Sequence, residues 1–454
     1  MVTRTAARPW RGVGAALGGS LLLAAGASAC DTGKSETRSY VSVPDLFYLR
    51  PYGVKAASDA RTTPFHVRAK DATTPSPHGR YDHRLTVDAS DAGGAVRLKI
   101  VGMSHSGPRC SGTDRRVVCE VEGEYDSWSA LDRVYPVAAK GSEPGEGGVV
   151  RFTFTTEDGE KHTARSRVVV GGPAVRLRKA GPYEKVAPGA EITSDLVVRN
   201  TGQLPVRGLG VQLSGGELEL RRAYSNCRYP EPYKGQVAVC ELPDVRIEPG
   251  ETVTLGPELR LRASRTRMDG SFTRAVWPLD IGPDKYATVP EGGEKGEGPP
   301  LEVVSTSRKG GGTFAAGSVA TTVLLDTTSD FRVEEVRTRV GKGRVVHLTV
   351  HDDGPGDPGH SRWLVFTPPP GAVVTEQPMD EIDEDAFDPH CRRDGADYMC
   401  DVGNLPPGRS RTFDFTLDLD RAGEGRVAVK ERDPSVDRHD PRPANDSAKV
   451  VVAP

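Results

Sequence analysis

At 454 residues the chain is too long for one hydrophobic core, so two to four domains are expected. A formal charge of −3, with no lysine run or basic patch, excludes the electrostatic footprint of a nucleic-acid binder. Abundant Gly (52) and Pro (36) with only 36% hydrophobic residues suit many turns, few long helices and thin sandwiches with large surfaces.

Residues 1–29 have the three parts of a secretory signal. Arg4, Arg8 and Arg11 form a positive n-region, Val13 to Ala29 is an uncharged small and apolar run, and Ala27-Ser28-Ala29 ends it. A spanning helix needs ~20 apolar residues, and this run is slightly short, so cleavage is expected. Cys30 follows at once. Ala27-Ser28-Ala29-Cys30 resembles the lipobox of bacterial lipoproteins, with Ala27 where Leu is usual. The resemblance implies a thioether-linked diacylglycerol on Cys30 as the new N-terminus. The alternative is cleavage after Ala29 and release. Residues 30–40 then form a short polar tether.

The other six cysteines fall into short pairs, Cys110/Cys119, Cys227/Cys240 and Cys391/Cys400. Removing Cys30 to a lipid leaves an even number that can pair locally. Disulfides suit the oxidising side of a membrane, and each short loop would contribute roughly 2.5–3 kcal/mol on a chain-entropy model. Zinc is disfavoured, because the pairs are not CxxC and lack His partners at ligand spacing.

Period-two alternation recurs along the chain and predicts antiparallel strands with one face on a core. Val96, Leu98 and Ile100 alternate with Arg97 and Lys99, and Val150, Phe152 and Phe154 with Arg151 and Thr153. Leu259 and Leu261 alternate with Arg260 and Arg262, and Phe413, Phe415, Leu417 and Leu419 with Asp414, Thr416 and Asp418. Each second cysteine precedes an acid and an aliphatic: Cys119-Glu120-Val121, Cys240-Glu241-Leu242, Cys400-Asp401-Val402. Pro249-Gly250 and Pro407-Gly408 follow in two copies, then Thr252 or Ser410 opening a strand. The pattern predicts a hairpin clipped near its turn, repeated three times, with the first copy most divergent. The expected domains are 41–172, 173–306 with a linker-like stretch at 283–300, and 313–454.

Val197-Val198-Arg199-Asn200-Thr201-Gly202, Cys227…Cys240 and Glu248-Pro249-Gly250-Glu251-Thr252 resemble the Ig-like repeats of bacterial surface proteins. These include the cell-adhesion-related CARDB type and repeats of unknown function in actinobacterial secreted proteins, and the Arg, Gly, Ala, Pro and Val bias agrees with such a source. Asn445-Asp446-Ser447-Ala448 is similar to the closing motif of those repeats. The resemblance implies an all-β chain of three tandem Ig-like antiparallel β-sandwich domains after a signal peptide. It carries no catalytic residues and no cofactor.

Other constellations carry little. Gly102-Met103-Ser104-His105-Ser106-Gly107 is not a G-x-S-x-G elbow. His347 and His351 share a strand face but sit ~13 Å apart. The acidic run around Asp380, Asp383, Asp385 and Asp388 is a solvated loop, with calcium on Asp380, Asp383 and Asp385 as the weaker alternative. Trp128, Trp277 and Trp363, about one per domain, are expected in cores, with a sugar platform as the alternative. The expected function is a non-enzymatic surface lipoprotein on the outer face of the cell membrane, binding a protein or glycan of the envelope. A freely secreted binding protein is one alternative. An exported hydrolase or carbohydrate-binding accessory is the other.

Overall fold

The computed structural model describes residues 39–54, 67–70, 81–100, 109–123, 127–128, 134–221, 223–283, 288–308, 311–383, 386–432 and 440–454. The chain is all-β, with strands, two single 3₁₀ turns and no α-helix among the described residues. Alternation is the cause: Glu191–Asn200 and Ser318–Leu325 bury every second side chain along most of their length. The strands form three Ig-like sandwiches, each with its own core.

The first unit holds β1 (Tyr40–Ser42), β2 (Leu46–Leu49), β3 (Arg68–Lys70), β4 (Tyr81–Asp88), β5 (Val96–Ile100) and β6 (Arg109–Gly112). It continues with β7 (Arg116–Gly123), β8 (Ser127–Trp128), β9 (Val134–Ala138), β10 (Gly147–Thr155) and β11 (Lys161–Val170). Its broad sheet runs β2-β11-β10-β4-β7-β6. Its core places Leu85, Val87, Phe152 and Val168 of that sheet against Ala69, Val96, Leu98 and Val134 of β3, β5 and β9.

The second unit holds β12 (Val175–Arg178), β13 (Tyr183–Val186), β14 (Glu191–Asn200), β15 (Val206–Ser214), β16 (Glu219–Leu220) and β17 (Cys227–Tyr229). Then come β18 (Val237–Ile247), β19 (Thr252–Arg262), β20 (Asp269–Pro278), β21 (Glu294–Lys295), β22 (Glu302–Ser307), β23 (Phe314–Ala316) and β24 (Ser318–Leu325). The broad sheet runs β13-β24-β20-β15-β18-β17-β21, over β16-β19-β14-β12-β23.

The third unit holds β25 (Phe331–Val333), β26 (Val336–Arg339), β27 (Gly341–Asp352), β28 (Arg362–Thr367), β29 (Val373–Glu376) and β30 (Met379–Asp383). It ends with β31 (Ala386–Pro389), β32 (Cys391–Asp394), β33 (Asp397–Gly403), β34 (Ser410–Leu419), β35 (Gly423–Glu431) and β36 (Ser447–Ala453). The sheets run β26-β36-β35-β28-β33-β32 and β25-β27-β34-β29.

The three broad sheets share one topology. In each, the outermost early strand runs parallel to the last strand of the unit (β2 with β11, β13 with β24, β26 with β36). The remaining pairs of these sheets are antiparallel.

Two expectations about domain organisation need correction. Residues 314–325 belong to the second unit and not to a third domain opening at 313. β23 pairs β12, β24 pairs β20, and Val319, Val323 and Leu325 lie in the second core. An alternating strand looks the same on either side of a boundary, and only its pairing partner assigns it. The described part of 283–300 is also no free linker. β21 pairs β17, Val289 packs beside Trp277, and Leu301 is buried and exchanges hydrogen bonds with the Asn226 amide.

The joints between units are short. At residues 171–174, the Gly171 N–H donates to Leu49 O, and the Thr201 and Gln203 N–H groups donate to Ala174 O and Gly172 O. Across the same joint the Tyr48 hydroxyl donates to Asp280. Burial and that acceptor push the Tyr48 phenol above its ordinary range. At residues 326–330, the Asp353 N–H donates to Asp330 O and the Gly356 N–H to Thr328 O. The second unit adds the Met268 N–H, which donates to Asp357 O.

Candidate functional site

Each broad sheet has a short outer strand clipped by a disulfide to the strand that follows it. Cys110 lies opposite Cys119, Cys227 opposite Cys240 and Cys391 opposite Cys400, with Cα separations of 4.0, 3.9 and 4.1 Å. So close an antiparallel pair is the non-hydrogen-bonded type. The backbone groups of Cys110, Cys227 and Cys391 therefore point away from the bonded partner, toward the sheet edge. The clipped hairpin expected from sequence is present in all three units, and β19 and β34 start at Thr252 and Ser410.

The edges differ in what lies beyond them. In the second unit β21 adds a further strand to β17, and the Gly296 N–H donates to Cys227 O at 3.2 Å. In the third unit β32 is the last strand of its sheet among the described residues, and Arg392, Arg393 and Asp394 are exposed.

Next to β32 the outer face of the third sheet carries a cation–aromatic stack. Leu364 and Phe366 of β28 enter the core, so Trp363 faces outward. The Arg392 guanidinium lies 4.8 Å from one of the Trp363 ring centroids and that of Arg432 lies 5.1 Å away. A guanidinium this close to an aromatic ring is held by the ring quadrupole. Asp401, opposite Trp363 on β33, accepts from Arg432 at 3.3 Å, from the Gly403 N–H at 2.7 Å and from the Ser361 hydroxyl. Burial pushes its carboxyl up, but those hydrogen bonds and the charges of Arg432 and His390 outweigh it and hold it below the usual carboxylate range. Trp363 is therefore not a core residue, contrary to expectation. The period-two rule applied to Leu364 and Phe366 would have placed it outward.

His390 ties the acidic hairpin β30–β31 to this sheet. Its Nδ1 is 2.8 Å from Asp380 Oδ2, its Nε2 is 2.8 Å from Asp401 O, and its ring stacks on Phe413. Asp380 thus has a histidine partner. The Asp383 side chain and Asp385 lie outside the described residues. No cluster of three His, Cys, Asp or Glu able to hold a metal ion occurs among the described residues.

The other candidates separate. His347 meets Asp414 across the strand pair at 2.7 Å, and His351 lies 3.6 Å from Glu334. Trp277 is buried with Val237 and Val239 beneath Val289. Residues 102–107, Cys30 and the Trp128 side chain lie outside the described residues.

Sequence reasoning missed a buried ion pair in the third unit. Arg362 is 2% exposed, donates to Glu431 Oε1 at 2.9 Å and lies 4.2 Å from the Phe331 ring centroid. It opens β28 and faces the joint, where nothing in its local sequence marks it.

Together these features define an Ig-like β-sandwich repeat protein. Its distinctive surface is a disulfide-clipped edge beside an aromatic face flanked by cations. Among solved structures, the chain is similar to an I-band fragment of titin, with 11% identity over 91% of this chain and 97% of that chain at a TM-score of 0.18. It is also similar to the N-terminal four Ig domains of a Dscam1 isoform, with 10% identity over 91% and 73% at a TM-score of 0.21. The assignment rests on the sheet orders and registers, not on those scores. No protein-family model and no curated protein matches the chain.

Proposed function

We propose that the chain is a non-enzymatic binding protein held on the outer face of a bacterial cell membrane by a lipid on Cys30. Its three Ig-like units project from the tether and engage a protein or glycan of the cell envelope. The observation that carries this reading is the threefold recurrence of one sheet whose short outer strand is pinned by a disulfide. Such bridges persist in an oxidising exterior, and a pinned, ordered edge is a surface suited to recognition. The groups gathered beside it, an indole face, guanidinium groups and a backbone edge, suit non-covalent contact.

Intact mass of the native protein from membrane and medium fractions, with and without reduction, tests the reading. The expected species is membrane-bound, begins at Cys30, is heavier by a diacylglycerol, and gains six protons on reduction. A soluble species without lipid would make the chain a freely secreted binding protein and overturn the anchored reading.

A further inference from the structure

The second unit contains a strand-addition complex within one chain. Its β17 edge carries the segment around β21, with Arg228 opposite Lys295 and Tyr229 opposite Glu294. The Gly296 N–H donates to Cys227 O, and the Arg228 guanidinium donates to Gly292 O and Pro290 O. Lys234 pairs with Glu294 at 2.7 Å. Glycine is needed for this approach: a Cβ on Gly293 would lie 2.5 Å from the Tyr229 carbonyl carbon, and one on Gly296 would lie 2.4 Å from Tyr224 O.

β32 is the counterpart of β17. Each is the clipped strand beside the neighbour of the central strand (β33 beside β28, β18 beside β15), and Cys391 stands where Cys227 stands. Alternation from the Cys391–Cys400 pair turns the backbone groups of Cys391 and Arg393 outward, and no strand lies beyond them among the described residues. Arg393 takes the place of Tyr229, opposite the position that Glu294 fills on β17. An open depression beside the edge is lined by Gln377, Pro389, Arg392, Arg393 and Tyr398, with Asp388 at its side. The buried Gln377 Oε1 there has no hydrogen-bond partner among the described residues.

We propose that the β32 edge binds an extended glycine- and glutamate-containing segment of a partner protein by antiparallel strand addition, in the register that β21 uses on β17. The inference rests on the reading of the chain as a binding protein. Main-chain hydrogen bonds to Cys391 and Arg393 supply affinity. A glutamate opposite Arg393 supplies selection, since opposite charges across a strand pair attract and like charges repel. A donor on the added strand satisfies Gln377 Oε1.

The probe is a fluorescein-labelled peptide with the sequence of residues 289–298, titrated onto the full mature chain with hydrogen exchange as a second readout. Saturable binding is expected, with slowed exchange of the Cys391 and Arg393 amides. Affinity should fall about tenfold for Arg393→Glu, and by a similar factor when the peptide carries Lys at the Glu294 position. A peptide N-methylated at alternate amides separates strand addition from simple charge attraction, and it should not bind. Absent binding, protection confined to β17, or equal affinity for Arg393→Glu would overturn the inference. A chain that fails these tests yet remains membrane-bound with a lipid on Cys30 would leave the wider reading standing.

Discussion

Asn200 and Asp352 are the same residue position in successive units, and only one of them is fully hydrogen-bonded. Each ends the second strand of its sheet, is wholly buried and abuts the joint to the preceding unit. Each backbone N–H donates across to the next turn, Asn200 to Glu251 O at 2.9 Å and Asp352 to Arg409 O at 3.0 Å. Each Oδ1 accepts from the glycine two residues on, Gly202 at 2.9 Å and Gly354 at 3.0 Å. The Asn200 Nδ2 then donates to Leu204 O and Ile247 O. The Asp352 Oδ2 has no partner among the described residues.

Burial pushes the Asp352 carboxyl up from 3.8 to about 6, against the Gly354 N–H, Arg362 and the Asp330 N–H, with Asp357 adding to the rise. Arg442, which pairs with Asp330, completes the charged surroundings. Because the folded pKa is raised, the stability carried by the protonated form is complete below about pH 4 and is lost as pH rises through 6. Asp352→Asn should therefore stabilise the third unit by about 3 kcal/mol above pH 7 and change little at pH 4. Thermal melts across that window check it, and parallel curves for the two proteins would sink the argument.

The reciprocal change should create the same liability in the second unit. Asn200→Asp removes two donated hydrogen bonds and buries an acceptor facing carbonyls. A loss of about 2–4 kcal/mol at pH 7 is expected, shrinking toward pH 4 as the new carboxyl protonates. Urea unfolding at both pH values reads it, and a pH-independent loss would count against it.

Arg362 and Glu431 are buried as a pair, at 2% and 8% side-chain exposure. Arg362→Ala leaves Glu431 without its buried cation and should cost about 3–5 kcal/mol. Arg362→Met with Glu431→Leu removes both charges and should recover most of that loss, although His360, 3.2 Å from Glu431 Oε2, loses its partner. A double-mutant cycle on unfolding free energies checks this, and additive losses would refute coupling.

The disulfides should differ in what their removal frees. Each double Cys→Ala variant should lose about 2–3 kcal/mol. Without Cys391–Cys400, β32 is held by β33 alone, so its amides should exchange quickly. Without Cys227–Cys240, β17 remains between β18 and β21 and should stay protected. Equal exchange at the two edges would contradict the sheet orders.

Gly202 and Gly354 bring their turns against the joints. A Cβ at Gly202 would lie 2.3 Å from Gly172 O, and one at Gly354 would lie 2.5 Å from the Asp330 nitrogen. Alanine at either should cost about 1–3 kcal/mol by overpacking and alter the angle between neighbouring units. Small-angle scattering of the full chain reads the second effect, which an unchanged profile would exclude.

Much of this architecture was legible in particular residues. Phe413, Phe415, Leu417 and Leu419 announced β34 by alternation, and all four are buried. The spacing of the cysteine pairs announced the clipped hairpins, because a short loop between two strands brings opposite residues together. Within the motif Asn200-Thr201-Gly202, the Gly202 N–H proves to donate to Asn200 Oδ1, and Asn445 of the closing motif proves to donate to Asp330 at the second joint. Trp363 departs from the expectation of one core tryptophan per unit because Leu364 and Phe366 take the inward positions of β28. The cluster of Arg392, Arg432 and Asp401 around Trp363 has no sequence signature, because these residues meet only when β32, β33 and the end of β35 lie side by side.

By itself the sequence determined the all-β class, the repetition and the positions of the bridges. These follow from periodicities and spacings that act within a few residues. Tertiary structure alone decided that Ser318–Leu325 joins the second unit, that Glu294–Lys295 closes the β17 edge while β32 stays open among the described residues, and that Asp352 lacks the partners Asn200 has. Strand pairing joins residues tens of positions apart, and an alternating strand carries its inward face but not the identity of its neighbour.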